Sequence, residues 1–488
     1  MASQVMETPD SPITGFFVAA PSTIAVGEVF SIGVKVLCAP KKCAVGPGSD
    51  PMGGIFNLSF RGIHFMDNVP LGWTGTLEVS ASEGYDGPDV LEFVAGAQAQ
   101  YRPVKRFTDL KFTSPGFKFL TVRDPLSGLE GTSNPICVTH EPPDERLFWG
   151  DIHSQTYFSD GLRGPEELYT FARDEAFLDI FALADHSEYL TDRQWEYFVG
   201  VTNDFDDPGS FTTLVGFEWT KHDPGHRNLY YPGDGGPIAR ANDPVLGNLG
   251  ELYKLARDHG ALLIPHHSAN VVMGVTWEKG HAPEVEKLVE IYSIWGNSER
   301  PAARGNPRPI RHLQGEKMGR HVQDALALGY RMGFVGGGDI HDGRPGDELH
   351  SLQQQPEVYC KLRRQGIMGV WAKALTRPAI FQALKERRTF ATTNVRTYLR
   401  FCVNGAFMGS EIKCPGPRKL SVAAASEVPF AEVEIVRNGE DIILDEPHER
   451  VVEKEFEDTD PLGKPAYYYA RLTCEDGEMA WSSPVWVE

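Results

Sequence analysis

FARDEAFLDIFALADH, residues 171–186, sets how the middle of this 488-residue chain is read. Phe171, Ala172 and Ala176 follow Leu168 at helical spacing, and Pro165 stands where a first turn has no use for its N–H. A short apolar strand at 180–184 comes next and runs into Asp185 and His186. The same step recurs. Residues 249–259 read as a helix closed by Gly260 and leading into a strand at 261–264. A helix at 321–328 precedes a strand at 334–337, and 378–388 reads as the last helix. Such alternation predicts βα units around a parallel sheet.

The informative feature is what each of these strands ends in. Residues 147–151 run into His153, 180–184 into Asp185 and His186, and 213–217 into Glu218. Residues 261–264 run into His266 and His267, and 334–337 into Asp339 and His341. In an α/β barrel the carboxyl ends of the strands meet on one face, so five strand ends would deliver imidazoles and carboxylates to one place. Those are the ligands of Zn, Mn or Fe, and a shared carboxylate can hold two ions a few ångströms apart. One histidine at a strand end is ordinarily a hydrogen-bonded structural residue. Five coincidences at the same end of successive strands predict a metal site.

On either side the texture changes. Residues 1–145 and 396–488 are rich in short alternating runs broken by turn residues, as in antiparallel sandwiches, and they bracket a middle region at 146–395. These flanks read as lids or homo-oligomer contacts, because no periodic exposed aromatic stripe marks a lectin. With 47 Lys and Arg against 67 Asp and Glu the formal charge is -20, which disfavours nucleic acid as a partner. No apolar run reaches the length of a membrane span, and the first residues lack a basic segment followed by an apolar one. Seven scattered cysteines without a CxxC pair fit a reducing cytoplasm, with Cys38 and Cys43 the one close pair that could form a bridge or a soft metal site.

Five motifs, GDIHSQTYFSDG (150–161), ALADH (182–186), VGFEWT (215–220), IPHH (264–267) and GGGDIHDG (336–343), resemble in order those of the PHP (polymerase and histidinol phosphatase) superfamily. The nearest likeness is to its branch with flanking β-rich segments, and RRTFATTNVR (387–396) strengthens it. The resemblance covers roughly residues 145–400. It implies an α/β fold, a distorted (β/α)7 barrel between β-sandwich-like regions, with two or three divalent ions per chain. It places His153 and Asp339 on one ion, and makes Glu218 a bridge to a second held by His226 and His266. Asp160, His186 and His341 would surround a third. One departure stands out: the first motif normally reads HxH, and here Gln155 takes the second position. Its amide oxygen is a weaker ligand than imidazole, so the first ion is loosely held, or Gln155 serves the substrate and the site works with fewer ions, or catalysis has been lost.

The chemistry expected of such a site is hydrolysis of a small-molecule substrate by a water that loses its proton on the metal near neutral pH. Asp339 is then both ligand and catalytic residue, His267 could protonate a leaving group, and Arg227 and Arg344 could clamp an anionic oxygen. A phosphoester is the substrate class the superfamily suggests. An amide, ester or lactone is the alternative, and a non-catalytic metal-bearing binding protein is the second. Trp219 and Trp295 read equally as an apolar wall or as core. His222, His259, His281, His312, His321 and His350 fall off the strand-end pattern and read as surface or helix residues.

Overall fold

The computed structural model describes residues 12–38, 41–42, 66–96, 101–311, 314–347 and 364–488. These group into two compact units that meet in sequence between Pro143 and Asp144. Cys43, Cys360, His312 and His350 lie outside the described residues.

The first unit is built of strands. Ile13–Ala19, Phe30–Cys38 and Val104–Phe112 pair antiparallel, as do Glu130–Thr132, Leu120–Arg123, Gly75–Ala81 and Val90–Phe93. Period-two alternation explains the burial: in Val90–Phe93 only Leu91 and Phe93 turn inward. They join Phe16, Ile32, Val34, Leu77, Leu110 and Leu120 in one apolar core.

The second unit corrects the barrel expectation. Among the described residues it has five α-helices against many strands, and the strands do not close into a (β/α)7 barrel. Arg146–Asp151, Ile180–Phe181 and Thr212–Thr213 are parallel, but Arg146–Asp151 continues antiparallel through Ile367–Ala372 and Thr389–Thr392. Thr389–Thr392 then pairs with Met479–Ser482, so the C-terminal strands extend the same 14-stranded sheet. Gly216–Trp219, Arg227–Tyr230 and Leu262–Pro265 form a separate antiparallel sheet, and Leu288–Ser293 pairs with Gly333–Gly336 in a third.

Connection length accounts for much of the difference. A parallel crossover needs about a dozen residues, and the link from Trp219 to Arg227 is far shorter, so those strands must form a hairpin. The single strand expected at 213–217 is two strands in two sheets. Local signals fared differently: Leu249–His259 is helical and ends at Gly260 with φ 63°, and Pro165 opens Pro165–Asp174. Among the described residues no helix is long and apolar enough to cross a membrane.

Candidate metal centre

Although the strands belong to three sheets, their ends meet. His153 follows Arg146–Asp151, Glu218 lies inside Gly216–Trp219, and His226 immediately precedes Arg227–Tyr230. His266 and His267 follow Leu262–Pro265, and Asp339 follows Gly333–Gly336. Isolated bridges tie the ends together, Ser154 to Ile340 and His186 to Glu218. The result is three groups whose ligand atoms lie within 4.8 Å of one another: Glu218, His226, His266 and His267; His153, His266 and Asp339; Asp160, His186 and His341.

Glu218 is the hub. Its Oε1 lies 2.8 Å from His226 Nδ1 and 3.2 Å from His266 Nε2, and its Oε2 lies 3.5 Å from both His153 Nε2 and His186 Nδ1. Asp339 Oδ1 is 3.5 Å from His153 Nε2, and Asp160 Oδ1 is 3.2 Å and 3.3 Å from the Nε2 atoms of His186 and His341. Glu218 and His153 are 1% and 0% exposed, a degree of burial at which a charge needs close compensation.

The pKa pattern follows from that crowding. Burial alone would raise the carboxyls of Glu218 and Asp160, yet the imidazoles around them hold both well below the ordinary range. Burial would lower His153 and His186. Asp339 and Glu290 around the first, with Glu218 and Asp160 around the second, raise both rings well above the usual value. His266 falls to about 4 through burial and its neighbour His153, and burial among His266 and His226 pushes His267 well down. The carboxylates thus call for positive charge where His153 and His186 stand, while His266 and His267 stay neutral with lone pairs free to ligate.

A divalent ion fits these residues. His226 Nδ1 and Glu218 Oε1 approach to 2.8 Å, a carboxylate oxygen and a ring nitrogen within reach of a common ion. The Nδ1 atoms of His266 and His267 are buried without hydrogen-bond partners. Asp339 and His267 both adopt left-handed backbone, with φ of 48° and 32°, a strain that clusters at functional sites.

Other expected site residues are placed as follows. Gln155 is fully buried, its Nε2 donates to Glu218 Oε2 at 3.0 Å, and its Oε1 has no partner. Arg227 is not available to substrate, which corrects the clamp assigned to it. Next to His226 on an extended chain it points to the opposite side, is 0% exposed, and donates from Nε to Glu286 Oε1 at 2.7 Å. Arg344 is likewise buried, pairs with Asp347 and lies over the Phe171 ring. His267 sits in the ligand cluster with Nε2 3.9 Å from Asp339 Oδ2, where burial among His266 and His226 pushes its ring well below the usual value. Trp219 is core, whereas half-buried Trp295 stands edge-on to His341 at 5.9 Å.

Two residues at the site escaped sequence reasoning. His222 stacks on His226, with Nδ1 3.2 Å from His226 Nε2, and its position in a turn gave no sign of this. Glu290 meets His153 from behind at 2.8 Å. Its signal was present: one acid inside the otherwise apolar strand LVEIYS. Of the remaining histidines, His281 pairs with buried Glu286 and His321 is buried at the start of Val322–Ala327.

Comparison with known proteins gives a family without an activity. Two relatives, each titled "Uncharacterized protein", come from Chlamydia muridarum and Chlamydia trachomatis; both are 30% identical over 403 and 402 residues, 78% of this chain. The chain spans 63% of the length of each. Among solved structures, a putative beta-galactosidase from Bacteroides fragilis gives 9% identity and a TM-score of 0.21, covering 97% of this chain and 74% of that one. Bacteroides uniformis beta-glucuronidase 3 gives 11% and 0.17, covering 99% and 64%. At those scores neither likeness carries an argument. Residues 165–299 and 314–431, which hold most of the candidate ligands, match one family throughout, and the chain belongs to that family, described as protein of unknown function (DUF3604).

Proposed function

We propose that this protein is a metal-dependent hydrolase of a small molecule, with a phosphoester as the first substrate class. The observation that carries the reading is the convergence of Glu218, His226 and His266 with Asp339 and His153, buried carboxylates and imidazoles in mutual ligand range. Bound divalent ions supply an activated water near neutral pH and neutralise charge on the attacked centre. Glu218, His226, His266 and His267 would hold one ion, His153 and Asp339 a second, and Asp160, His186 and His341 a third. Zn, Mn and Fe all suit this donor set. The ordered motifs that resemble the PHP superfamily support the phosphoester; a carbonyl substrate is the alternative outcome of the assay. The free thiols of Cys402, Cys414 and Cys474 support a reducing, cytoplasmic setting.

The test pairs metal content with turnover of generic phosphoesters and carboxylesters, in the parent protein and in His266→Ala and Asp339→Ala. Hydrolysis of one class, lost in both variants, is expected. Metal bound at full occupancy with neither class hydrolysed would favour the binding-protein reading.

Protons give a second expectation. In the metal-free fold His153 and His186 are raised, so both carry protons at pH 7. Their stabilising contribution is complete below the unfolded value of about 6.5 and is lost as pH climbs through the folded values. Metal binding runs the opposite way, because a ligand must shed its proton, so affinity rises with pH. Calorimetry at pH 7 in buffers of different ionisation heat is expected to show about two protons released on zinc saturation. No release would contradict the assignment of these rings.

Gln155 gives a third. Its amide N–H occupies Glu218 Oε2, where a histidine would offer a ligand atom instead. Gln155→His is expected to tighten the most weakly held ion by on the order of tenfold, read by competition with a chelating dye. Unchanged affinity would place Gln155 outside the ligand sphere.

A further inference from the structure

We infer that Glu290 is a positioning residue of the metal centre, holding the His153 ring so that Nε2 faces Glu218 and Asp339. The inference rests on the reading of that cluster as a metal site. Glu290 lies on Leu288–Ser293, whose side chains alternate between environments. Val289 and Ile291 enter one apolar core, while Glu290 turns the other way and brings Oε2 to 2.8 Å from His153 Nδ1. Glu290 and His153 are 3% and 0% exposed. With Nδ1–H donated to Glu290, the proton that the ring sheds on binding a metal is the one on Nε2, which stands 3.5 Å from both Glu218 Oε2 and Asp339 Oδ1.

Two backbone features support this contact. The pairing of Leu288–Ser293 with Gly333–Gly336 shifts register between Glu290 and Tyr292, the kind of irregularity that re-aims a side chain. Gly337 leaves the space: a Cβ there would come within 2.0 Å of Glu290 Oε2 and 2.9 Å of the His153 Cβ. The second carboxylate oxygen, Oε1, is buried without a hydrogen-bond partner, a poor arrangement for a residue that only packs. A carboxylate behind an imidazole fixes its tautomer and raises its basicity as a ligand, and this is the role the geometry gives Glu290.

The probe is Co(II) alone, added to the metal-free full chain and followed by proton NMR of the shifted, exchangeable ring N–H signals, with affinity from competition. Glu290→Leu is expected to lose one such signal and to bind cobalt about 10–100-fold more weakly. Glu290→Gln, whose amide oxygen still accepts the N–H, is expected to keep the signal and most of the affinity. If Glu290→Leu does not fold, Glu290→Asp, which withdraws the carboxylate by one methylene, carries the test with the same expected losses. A role in packing alone would lower the melting temperature and leave signal count and cobalt affinity unchanged, which would overturn the inference while the metal reading stood. A parent protein that binds no cobalt would overturn both.

Discussion

Glu218→Gln is expected to abolish the metal binding proposed for the cluster around Glu218. The substitution keeps the size of the side chain and removes the charge on which His226, His266, His153 and His186 converge. An amide offers one neutral oxygen to a cluster in which the carboxylate presents an oxygen to each side. Loss of an outer-shell partner typically weakens a metal site by about 10–100-fold, and loss of the central ligand is expected to exceed that. Equilibrium dialysis against zinc reads it directly. A variant that retained zinc within a few-fold of the parent would remove Glu218 from the centre. Thermal unfolding of the metal-free proteins is the control, since burial disfavours the charge that glutamine removes.

The second large effect lies away from the site. Arg471 is 1% exposed and binds three carboxylates: Nη1 to Glu299 Oε1 at 2.6 Å, Nε and Nη2 to Glu434 at 2.7 and 2.6 Å, and Nη2 to Asp441 Oδ1 at 2.7 Å. Glu299, itself 1% exposed, also accepts from Tyr469 Oη at 2.6 Å and Trp481 Nε1 at 2.9 Å. The network joins the segment after Leu288–Ser293 to the C-terminal strands of the same unit. Arg471→Met would leave Glu299 charged and buried without a cation, at a cost of about 3–5 kcal/mol. Denaturant unfolding is expected to show that loss. A change under about 1 kcal/mol, the scale of an exposed pair, would mean that the network relaxes or admits water.

The two predictions draw on different parts of the sequence. The clustering was legible because its residues carry their own signal: histidine and acid at strand ends, repeated in order, are rare enough to stand out one by one. The structure brings His153, Asp160, His186, Glu218, His226, His266, Asp339 and His341 into three neighbouring groups. What the residues did not disclose is how the strands pair. An apolar run of five residues reads the same whether its neighbour lies parallel or antiparallel, and Arg227–Tyr230, which pairs with Gly216–Trp219, carries no strand signal strong enough to be read. The C-terminal strands were read as a region apart, because the pairing of Thr389–Thr392 with Met479–Ser482 spans a separation no local pattern encodes. Arg227 was misjudged for a related reason. Proximity to His226 in sequence suggested a shared pocket, whereas neighbours on an extended chain face opposite ways. Glu290 lacks the strand-end signal of the other residues because it sits inside a strand.

The most direct test of the metal centre is elemental analysis of the full chain purified without chelator and again after dialysis against zinc or manganese. The arrangement around Glu218 predicts at least two divalent ions per chain, reduced in Glu218→Gln and in Asp339→Ala. Less than about half an ion per chain, with none regained from either metal, would contradict it.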